Sequence, residues 1–409
     1  MTTANSHTTE SLLELENSFG AHNYHPLPVV LSRGQGVYVW DVDGKKYYDF
    51  LSGYSALNQG HCHPKIIASL ILQAQRLTLT SRAFHNDQFS KYARFITQYF
   101  GYDRVLPMNT GVEAVETGIK LARRWGYDVK GIPENKARIV VFENNFHGRT
   151  STIISFSSDP GAYSGFGPFM AGFDLIPYND LDALARALQN KDVAAILMEP
   201  IQGEAGVVVP DEGYLNKAYA LCKEANVLFI GDEIQTGLGR TGKMLACDHE
   251  NVRPDILLLG KALSAGILPV SAVLADDEIM LTIKPGEHGS TYGGNPLACA
   301  VAITALSVLK DENMVENAAA MGDHFRNGLE AIKSPFIETV RGKGLLNAVV
   351  IHQTHPEAAW DLCMELKENG LLAKPTHGNK IRFAPPLTIT KSQIEECLDI
   401  IADSLTILK

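Results

Sequence analysis

The stretch that decides the fold is Asp255-Ile-Leu-Leu-Leu-Gly-Lys261-Ala-Leu-Ser-Ala-Gly266, an apolar run that ends in a lysine. A second apolar run, Val227-Leu-Phe-Ile-Gly-Asp232-Glu-Ile-Gln235, ends in a carboxylate earlier in the chain. Short apolar runs bounded by glycine and charge predict buried strands. Open α/β folds bind their ligands at the carboxyl ends of such strands. The two runs therefore predict that Lys261 and Asp232 meet at one ligand site.

Further apolar runs alternate with helical patterns along the middle of the chain, at residues 137–142, 194–198, 227–230, 256–259 and 269–274. Alternation of this kind predicts a mainly parallel sheet with helices on both faces. Residues 37–50 predict a hairpin whose turn is Asp43-Gly44. A long helical pattern at 297–309 opens a smaller α+β unit with strands at 345–351 and 381–383.

We therefore expect an α/β protein in three parts. An N-terminal segment, residues 1–50, should pack with the small domain. A large domain at 51–290 should hold the mainly parallel sheet sandwiched by helices, and residues 291–409 should form the small C-terminal domain.

The bulk composition excludes several classes of partner. The chain has 409 residues and a formal net charge of -10, which argues against nucleic acid or an anionic membrane. No apolar stretch approaches the roughly 20 residues that a membrane span needs. The six cysteines form no Cys-x-x-Cys pair, and residues 1–10 lack the arginine and the apolar core of a presequence. We expect a cytoplasmic protein.

A buried lysine beside a buried aspartate has a specific chemical use. Poor solvation makes the Lys261 amine easier to deprotonate and therefore nucleophilic. A fixed negative charge on Asp232 could keep a pyridine nitrogen protonated, so the pair suits pyridoxal 5'-phosphate (PLP). A structural ion pair at a strand end is the alternative that these two segments leave open.

Two glycine-containing segments could bind a phosphate. Asn109-Thr-Gly111-Val112 precedes a helical pattern, and free backbone N–H groups at a helix start attract anions. The same residues could form a simple N-cap. The segment His288-Gly-Ser290-Thr291-Tyr-Gly-Gly-Asn295 offers two hydroxyls, although a polar turn explains it equally well.

Charged and aromatic residues also follow other predicted strands. Phe146-His147-Gly-Arg149 combines a ring that could stack on a flat cofactor with a guanidinium that could hold a carboxylate. Glu199-Pro-Ile-Gln-Gly-Glu204 follows another strand and adds a carboxylate to the same rim, and Arg382 emerges from an apolar strand. Two such arginines gain a function only if the substrate has two anionic groups.

Two other motifs are discounted. Gly237-Leu-Gly-Arg-Thr-Gly242 matches the dinucleotide fingerprint in letters, but no helical pattern follows it. His61-Cys-His63 has no second ligand group at zinc-like spacing, so we expect no metal site.

Taken together, these segments resemble the class III (subgroup II) aminotransferases of the fold-type I PLP enzymes, from about residue 20 to the C-terminus. Within that family they are most similar to the members that act on ornithine. The similarity lies in residues 58–64, 199–207, 231–237, 284–295 and 372–378, and Tyr24 and the last two segments are the most specific to the ornithine enzymes.

The resemblance implies that Lys261 bonds PLP covalently, that Asp232 holds the pyridine nitrogen and that Gln235 bonds the phenolic oxygen. The other implied cofactor contacts are Gly111, Val112, Phe146 and His147, with Ser290 and Thr291 contributed by the neighbouring subunit. It also implies a homodimer or a larger assembly whose active site lies at the subunit interface.

The implied reaction transfers the δ-amino group of L-ornithine to 2-oxoglutarate, giving L-glutamate 5-semialdehyde and L-glutamate. Tyr24 and Arg149 would hold the α-amino and α-carboxylate groups of ornithine, and Tyr54 would line the pocket. Glu204 would pair with Arg382 until the oxo acid binds.

Acetylornithine and 4-aminobutyrate are the alternative donors, and Tyr24 favours a donor with a free α-amino group. Residue 147 is His where the animal ornithine enzymes have Trp, and a mitochondrial presequence is not recognised.

Overall fold

The computed structural model of this protein describes residues 8–408, so residues 1–7 of the predicted N-terminal segment and residue 409 lie outside the described part. The strands are β1 Leu31–Gln35, β2 Tyr38–Asp41, β3 Lys46–Asp49, β4 Arg104–Met108, β5 Arg138–Phe142, β6 Phe173–Ile176, β7 Val193–Met198, β8 Leu228–Asp232, β9 Ile256–Leu259, β10 Ser271–Ala275, β11 Ile337–Lys343, β12 Leu346–Ile351, β13 Leu371–Leu372, β14 Lys374–Thr376 and β15 Lys380–Phe383.

The α-helices lie between these strands and around them. They are α1 Thr9–Phe19, α2 Ser52–Ser55, α3 Pro64–Ala74, α4 Phe89–Phe100, α5 Gly111–Asp128, α6 Ser151–Ile154, α7 Pro160–Tyr163, α8 Leu181–Ala187, α9 Tyr214–Glu224, α10 Asp277–Met280, α11 Pro296–Asp311, α12 Met314–Ala331, α13 Ala358–Glu368 and α14 Lys391–Ser404. Short 3-10 helices cover Ala246–Glu250, Lys261–Ser264 and Leu405–Leu408.

The central sheet has seven strands in the order β4-β10-β9-β8-β7-β5-β6. The pairs from β9 through β6 are parallel, and β10 is antiparallel to both β9 and β4. This confirms the mainly parallel α/β sheet and all five predicted strands. The edge strands β4 and β6 were not predicted, because each is only partly buried and shows a weak apolar pattern.

Two smaller sheets flank the central one. The predicted hairpin is present as β2 and β3. Strand β3 also pairs in parallel with β13, which comes from the C-terminal region. The second small sheet has the order β11-β12-β15-β14 with antiparallel neighbours, and the predicted long helix is α11. The N-terminal hairpin thus completes its sheet with a strand from the end of the chain.

The largest apolar cluster extends from Val37 to Leu408 and includes side chains from all three sheets. A second cluster packs α5 against the central strands, and a third covers the opposite face under α8 and α9. Because the apolar core is continuous across residue 290, the proposed domain limits stay a prediction.

The loop 237–242 joins the central sheet to the C-terminal region. Arg240 is fully buried and donates to Asn58 Oδ1 at 2.6 Å, to Leu345 O at 3.0 Å and to Pro385 O at 2.5 Å. At Gly242 a Cβ would lie 2.9 Å from Ala319 Cα, so this packing requires glycine. The glycines of the motif at 237–242 therefore serve close packing between chain segments, and no α-helix follows the motif as a dinucleotide site would require.

Replacing Arg240 with methionine should lower the free energy of unfolding by about 3 kcal/mol or more, because two carbonyls and one amide oxygen lose a charged donor. Denaturant unfolding of both proteins measures the difference. Arg76→Met is the matched control, because the Arg76 side chain is 63% exposed, and we expect a change within about 0.5 kcal/mol. Equal losses in the two variants would contradict the anchoring role of Arg240.

Candidate active site

The parallel strands β8 and β9 bring two predicted residues to one edge of the sheet. Asp232 is the last residue of β8 and pairs with Leu258 of β9, and Lys261 follows β9 after one glycine. Lys261 adopts a φ of +41°, which a non-glycine residue rarely takes, so the chain turns sharply where the amine is presented. Burial lowers the pKa of Lys261, and Glu204 and Asp232 oppose that shift.

Asp232 is bonded to His147 in a buried pair. Asp232 Oδ2 lies 2.6 Å from His147 Nδ1, each residue is 4% exposed, and Ile234 N donates to the other carboxylate oxygen at 3.1 Å. Burial would lower the pKa of His147, but the hydrogen bond and charge of Asp232 outweigh it and raise that pKa. The sequence indicated that His147 belongs to the site but not that Asp232 is its partner.

Glu199 is another buried acid at the site; the sequence analysis placed its segment at the rim but gave Glu199 no role of its own. Its Oε1 accepts from Phe146 N at 2.8 Å, and this bond holds the start of the aromatic segment. Burial raises the pKa of Glu199 to about 7, although His147 acts in the opposite direction. The sequence feature that could have identified Glu199 is its position directly after the apolar run of β7.

The predicted pair of Glu204 and Arg382 is present. Arg382 Nη1 donates to Glu204 Oε1 at 2.7 Å, and Gln235 Nε2 donates to the same oxygen at 2.9 Å. Burial opposes ionisation of Glu204, but Arg382 and Gln235 outweigh it and hold the pKa of this carboxyl below its usual value. A Cβ on Gly203 would lie 1.5 Å from Gln235 Oε1, so this arrangement requires glycine there.

Tyr54 lies in a left-handed turn beside this pair. Residues 52–55 have φ values of 49°, 56°, 60° and 70°, although only Gly53 adopts such angles without strain. The Arg382 guanidinium carbon is 5.0 Å from the centre of the Tyr54 ring. Burial raises the pKa of Tyr54, Glu204 adds to that shift, and Arg382 opposes it.

The N-terminus of α5 faces the same site. Thr110 and Glu113 form a capping box, in which Thr110 Oγ1 accepts from Glu113 N at 3.4 Å. The first N–H groups of a helix have no intrahelical acceptor, so those of Gly111 and Val112 are available to an anion. A Cβ on Gly148 would lie 2.5 Å from Val112 Cγ2, so glycine keeps this cradle open.

Two neighbouring cavities contain most of the predicted residues. The inner one, about 190 Å³, is lined by Gly111, Val112, Phe146, His147, Asp232, Gln235 and Lys261, with Glu199. The outer one, about 410 Å³, shares Phe146 and His147 and adds Arg149 and Glu204.

Five predicted residues line neither cavity: Tyr54 and Arg382, which lie beside Glu204 as described above, and Ser290, Thr291 and Tyr24. Ser290 Oγ accepts from Asn109 Nδ2 of the same chain at 2.7 Å, and Thr291 is exposed. Tyr24 is 71% exposed on the N-terminal segment, although it is near enough to Tyr54 to contribute to the raised pKa there. The contact of Ser290 and Thr291 with a neighbouring subunit stays a prediction.

The family model described as aminotransferase class-III matches residues 19–405 of this chain. The chain belongs to the class-III aminotransferases. This agrees with the resemblance found in the sequence, and it makes the chain a PLP-dependent aminotransferase.

Named relatives of this aminotransferase cover nearly its whole length. The mitochondrial ornithine aminotransferase of Rattus norvegicus is 62% identical over 96% of this chain and 90% of its own. A solved ornithine aminotransferase structure from Toxoplasma gondii is 52% identical with a TM-score of 0.97, covering 98% and 95% of the two chains. A solved acetylornithine aminotransferase structure from Elizabethkingia anophelis is 56% identical with a TM-score of 0.91, covering 98% and 100%.

The two discounted histidines form hydrogen bonds with carboxylates. His61 Nε2 lies 2.7 Å from Asp49 Oδ2, and His63 Nε2 lies 3.1 Å from Glu312 Oε2. Within residues 8–408 no group of three or more His, Cys, Asp or Glu is arranged to hold a metal ion. In the same range no helix is both long and apolar enough to cross a membrane.

The inner cavity fits the cofactor of this family. Glycines keep the α5 cradle open for a phosphate, Phe146 lines the wall where a flat ring would stack, and Asp232 offers a buried anion to a pyridine nitrogen. His147 Nε2 is buried without a hydrogen-bond partner in the described chain, which leaves one polar atom for a bound group. Lys261 opens into the same cavity as a nucleophilic amine.

The raised pKa of Glu199 predicts a pH-dependent stability. The folded protein binds this proton more tightly than the unfolded chain, so the stabilisation is complete below about pH 4.5 and is lost as pH rises through about 7. In cofactor-free protein, Glu199→Gln should reduce the loss of unfolding free energy between pH 5 and pH 8 by about 2 to 3 kcal/mol. His147 and Asp232 face Glu199 in both proteins and keep their own contribution.

Denaturant unfolding across this pH range checks the prediction, with the exposed Glu134→Gln as the control for a changed net charge. A pH profile that is the same for wild type and Glu199→Gln would show that Glu199 ionises normally.

Proposed function

We propose that this protein transfers the δ-amino group of L-ornithine to 2-oxoglutarate, with PLP as its cofactor. The observation that carries the proposal is the pair of Glu204 and Arg382 beside Lys261, with Arg149 on the same cavity wall. Arg382 is paired with the Glu204 carboxylate, whereas Arg149 forms no ion pair within residues 8–408. This difference suits a site that binds a monocarboxylate and a dicarboxylate in turn. The ornithine aminotransferases among the relatives support the same donor.

The chain's residues have distinct roles in this reaction. PLP, when bound, supplies the electron sink and carries the amino group between the two half-reactions. The free amine of Lys261, with its lowered pKa, is suited to move the proton at the δ-carbon of ornithine. Asp232 would keep the pyridine nitrogen of PLP protonated, and His147 holds Asp232 in position through the 2.6 Å hydrogen bond. The backbone N–H groups of Gly111 and Val112 hold the phosphate.

The charge on Arg382 decides which end of the donor enters. If Arg382 were free, it would attract the carboxylate of ornithine and bring the α-amino group to the reactive position. Glu204 and Gln235 occupy it instead, through bonds of 2.7 Å and 3.4 Å. Ornithine then binds Arg149 with its carboxylate and Tyr24 with its α-amino group. The α-carboxylate of 2-oxoglutarate displaces Glu204 from Arg382, and its γ-carboxylate takes Arg149.

An acetylornithine donor is the second candidate, because the Elizabethkingia anophelis structure bears that name at 56% identity. An acetylated α-amino group gains no ionic attraction at the site. Tyr24, which is proposed to bind a free α-ammonium group, therefore distinguishes ornithine from acetylornithine.

The product of the reaction tests the proposal directly. Purified protein given L-ornithine, 2-oxoglutarate and PLP should form glutamate 5-semialdehyde, which cyclises and gives a yellow adduct with o-aminobenzaldehyde. Lys261→Ala should abolish turnover, and Tyr24→Ile should lower kcat/KM for ornithine by about tenfold while relatively favouring 4-aminobutyrate, which has no α-amino group. Formation of only the 2-oxo acid of ornithine would reverse the proposed orientation, and a strong preference for acetylornithine would favour the second candidate.

Single-turnover measurements of each half-reaction test the pair of Glu204 and Arg382. Arg382→Ala should lower the rate with 2-oxoglutarate by about 100-fold and the rate with ornithine far less, because only the oxo acid needs the second guanidinium. Glu204→Ala should raise the rate with glutamate relative to ornithine by about tenfold. Equal losses in both half-reactions for Arg382→Ala, or an unchanged preference in Glu204→Ala, would contradict the switch.

We further propose a homodimer with the active site at its interface. Support comes from large apolar side chains that one chain leaves exposed, among them Phe84 at 77% and Phe166 at 64%, and from the exposed hydroxyl of Thr291. Free cysteines, five of them buried, support a reducing compartment, and we propose the cytoplasm.

A further inference from the structure

Two basic residues at the mouth of the outer cavity have no role in the reaction as described so far. They are Arg341 on β11 and Lys380 on β15, and both line the 410 Å³ cavity that also contains Arg149. In the C-terminal sheet Arg341 pairs with Ala348, and Ala348 pairs with Arg382. Paired residues on neighbouring strands point to the same face, so Arg341 lies two strands, or about 10 Å, from Arg382 on that face.

Lys380 belongs to the same face, because it lies two residues before Arg382 on β15. The sheet therefore presents Arg382 at the inner end of a short cationic path and Arg341 with Lys380 at its outer end. We call the outer pair the mouth cations.

The loop that contains Glu204 brings the mouth cations together. A Cβ on Gly206 would lie 2.3 Å from Lys380 Cδ and 3.1 Å from Arg341 Nη2, and Gly206 has a φ of +93°. Any larger residue would displace both side chains. Arg341 Nε donates to Gly206 O at 2.7 Å, so the loop backbone holds the guanidinium at the cavity wall.

Within residues 8–408 neither mouth cation forms an ion pair with a carboxylate. Arg341 Nη2 is buried without a hydrogen-bond acceptor in residues 8–408, and Lys380 Nζ donates only to the carbonyl of His377, at 3.0 Å. The carboxylates on the cavity wall are engaged elsewhere: Glu204 accepts from Arg382, and Asp159 caps α7 by accepting from Gly161 N. Burial lowers the pKa of Arg341, and the charge of Glu338 opposes that shift only in part.

We infer that Arg341 and Lys380 form an outer carboxylate-binding subsite that captures the dicarboxylate acceptor before it reaches Arg382 and Arg149. This inference rests on the proposed function. 2-Oxoglutarate carries two carboxylates and no cation, so the cationic path attracts it. Ornithine carries two ammonium groups against one carboxylate, so the same field repels it. The subsite thereby favours the second substrate in the half-reaction in which Arg382 must exchange its partner.

The test compares wild type with the double variant Arg341→Gln/Lys380→Gln. Stripped protein is loaded with pyridoxamine 5'-phosphate, so the half-reaction with 2-oxoglutarate is measured without any donor. Its second-order rate constant should fall by 10- to 100-fold at low salt, and the difference should shrink in 0.5 M NaCl, because screening removes the attraction. With pyruvate, which has one carboxylate, the loss should be much smaller. The half-reaction with ornithine, measured on PLP-loaded protein, should not slow and should become a few-fold faster at low salt, because the field that repels this cation is removed.

A binding measurement gives a readout that does not depend on turnover. Glutarate is an unreactive dicarboxylate of the same chain length, and calorimetry should show about tenfold weaker binding to the double variant. Lys217→Gln, on an exposed part of α9, is the control for net charge and should leave both half-reactions unchanged.

The single variants separate charge from loop support, because Arg341 also holds the Gly206 carbonyl whereas Lys380 does not. If the subsite is electrostatic, Lys380→Gln alone shows the same selectivity for the dicarboxylate and the same salt dependence. Equal losses in both half-reactions, or a loss with 2-oxoglutarate that does not depend on salt, would overturn the inference. Wild type that reacts with 2-oxoglutarate but not with ornithine would refute the proposed donor and leave the subsite standing.

Discussion

The parallel pairing of β8 with β9 is the constraint on which the site depends. It puts Asp232 opposite Leu258 and delivers Lys261 past the same sheet edge, so a carboxylate and an amine meet where water is scarce. Neither group can be stable there alone, because an isolated buried charge is costly. The surrounding residues therefore distribute charge among themselves, and this distribution determines the chemistry.

Two hydrogen-bonded pairs stabilise the buried negative charges of the site. His147 supports the negative charge of Asp232 at 2.6 Å, and Arg382 supports that of Glu204 at 2.7 Å. Lys261 lies between them, and both carboxylates act on its pKa. A displaced partner in either pair changes the charge that the amine experiences. In the proposed reaction, exchange of Glu204 for a substrate carboxylate would thus be coupled electrostatically to Lys261.

Much of the large sheet could be read from local pattern, because buried parallel strands are continuous apolar runs. β5, β7, β8 and β9 were predicted in this way, and β10 was predicted without its antiparallel direction. The direction of a strand depends on the path of the segment that connects it to the preceding strand, and an apolar run alone does not predict that path. The left-handed turn at residues 52–55 was not predictable either, because only Gly53 favours it and the surrounding packing imposes it on Tyr54.

The sequence by itself determined which residues were expected at the site: the amine of Lys261 and the carboxylates of Asp232 and Glu204 follow apolar runs, and the guanidinium of Arg382 belongs to a strand. Only the tertiary structure decided their partners. The bond between His147 and Asp232 joins segments from different strands, and the approach of Arg341 to Gly206 joins the C-terminal sheet to a loop of the central one. Such contacts depend on how distant segments pack in space, and the spacing of residues along the chain does not predict them.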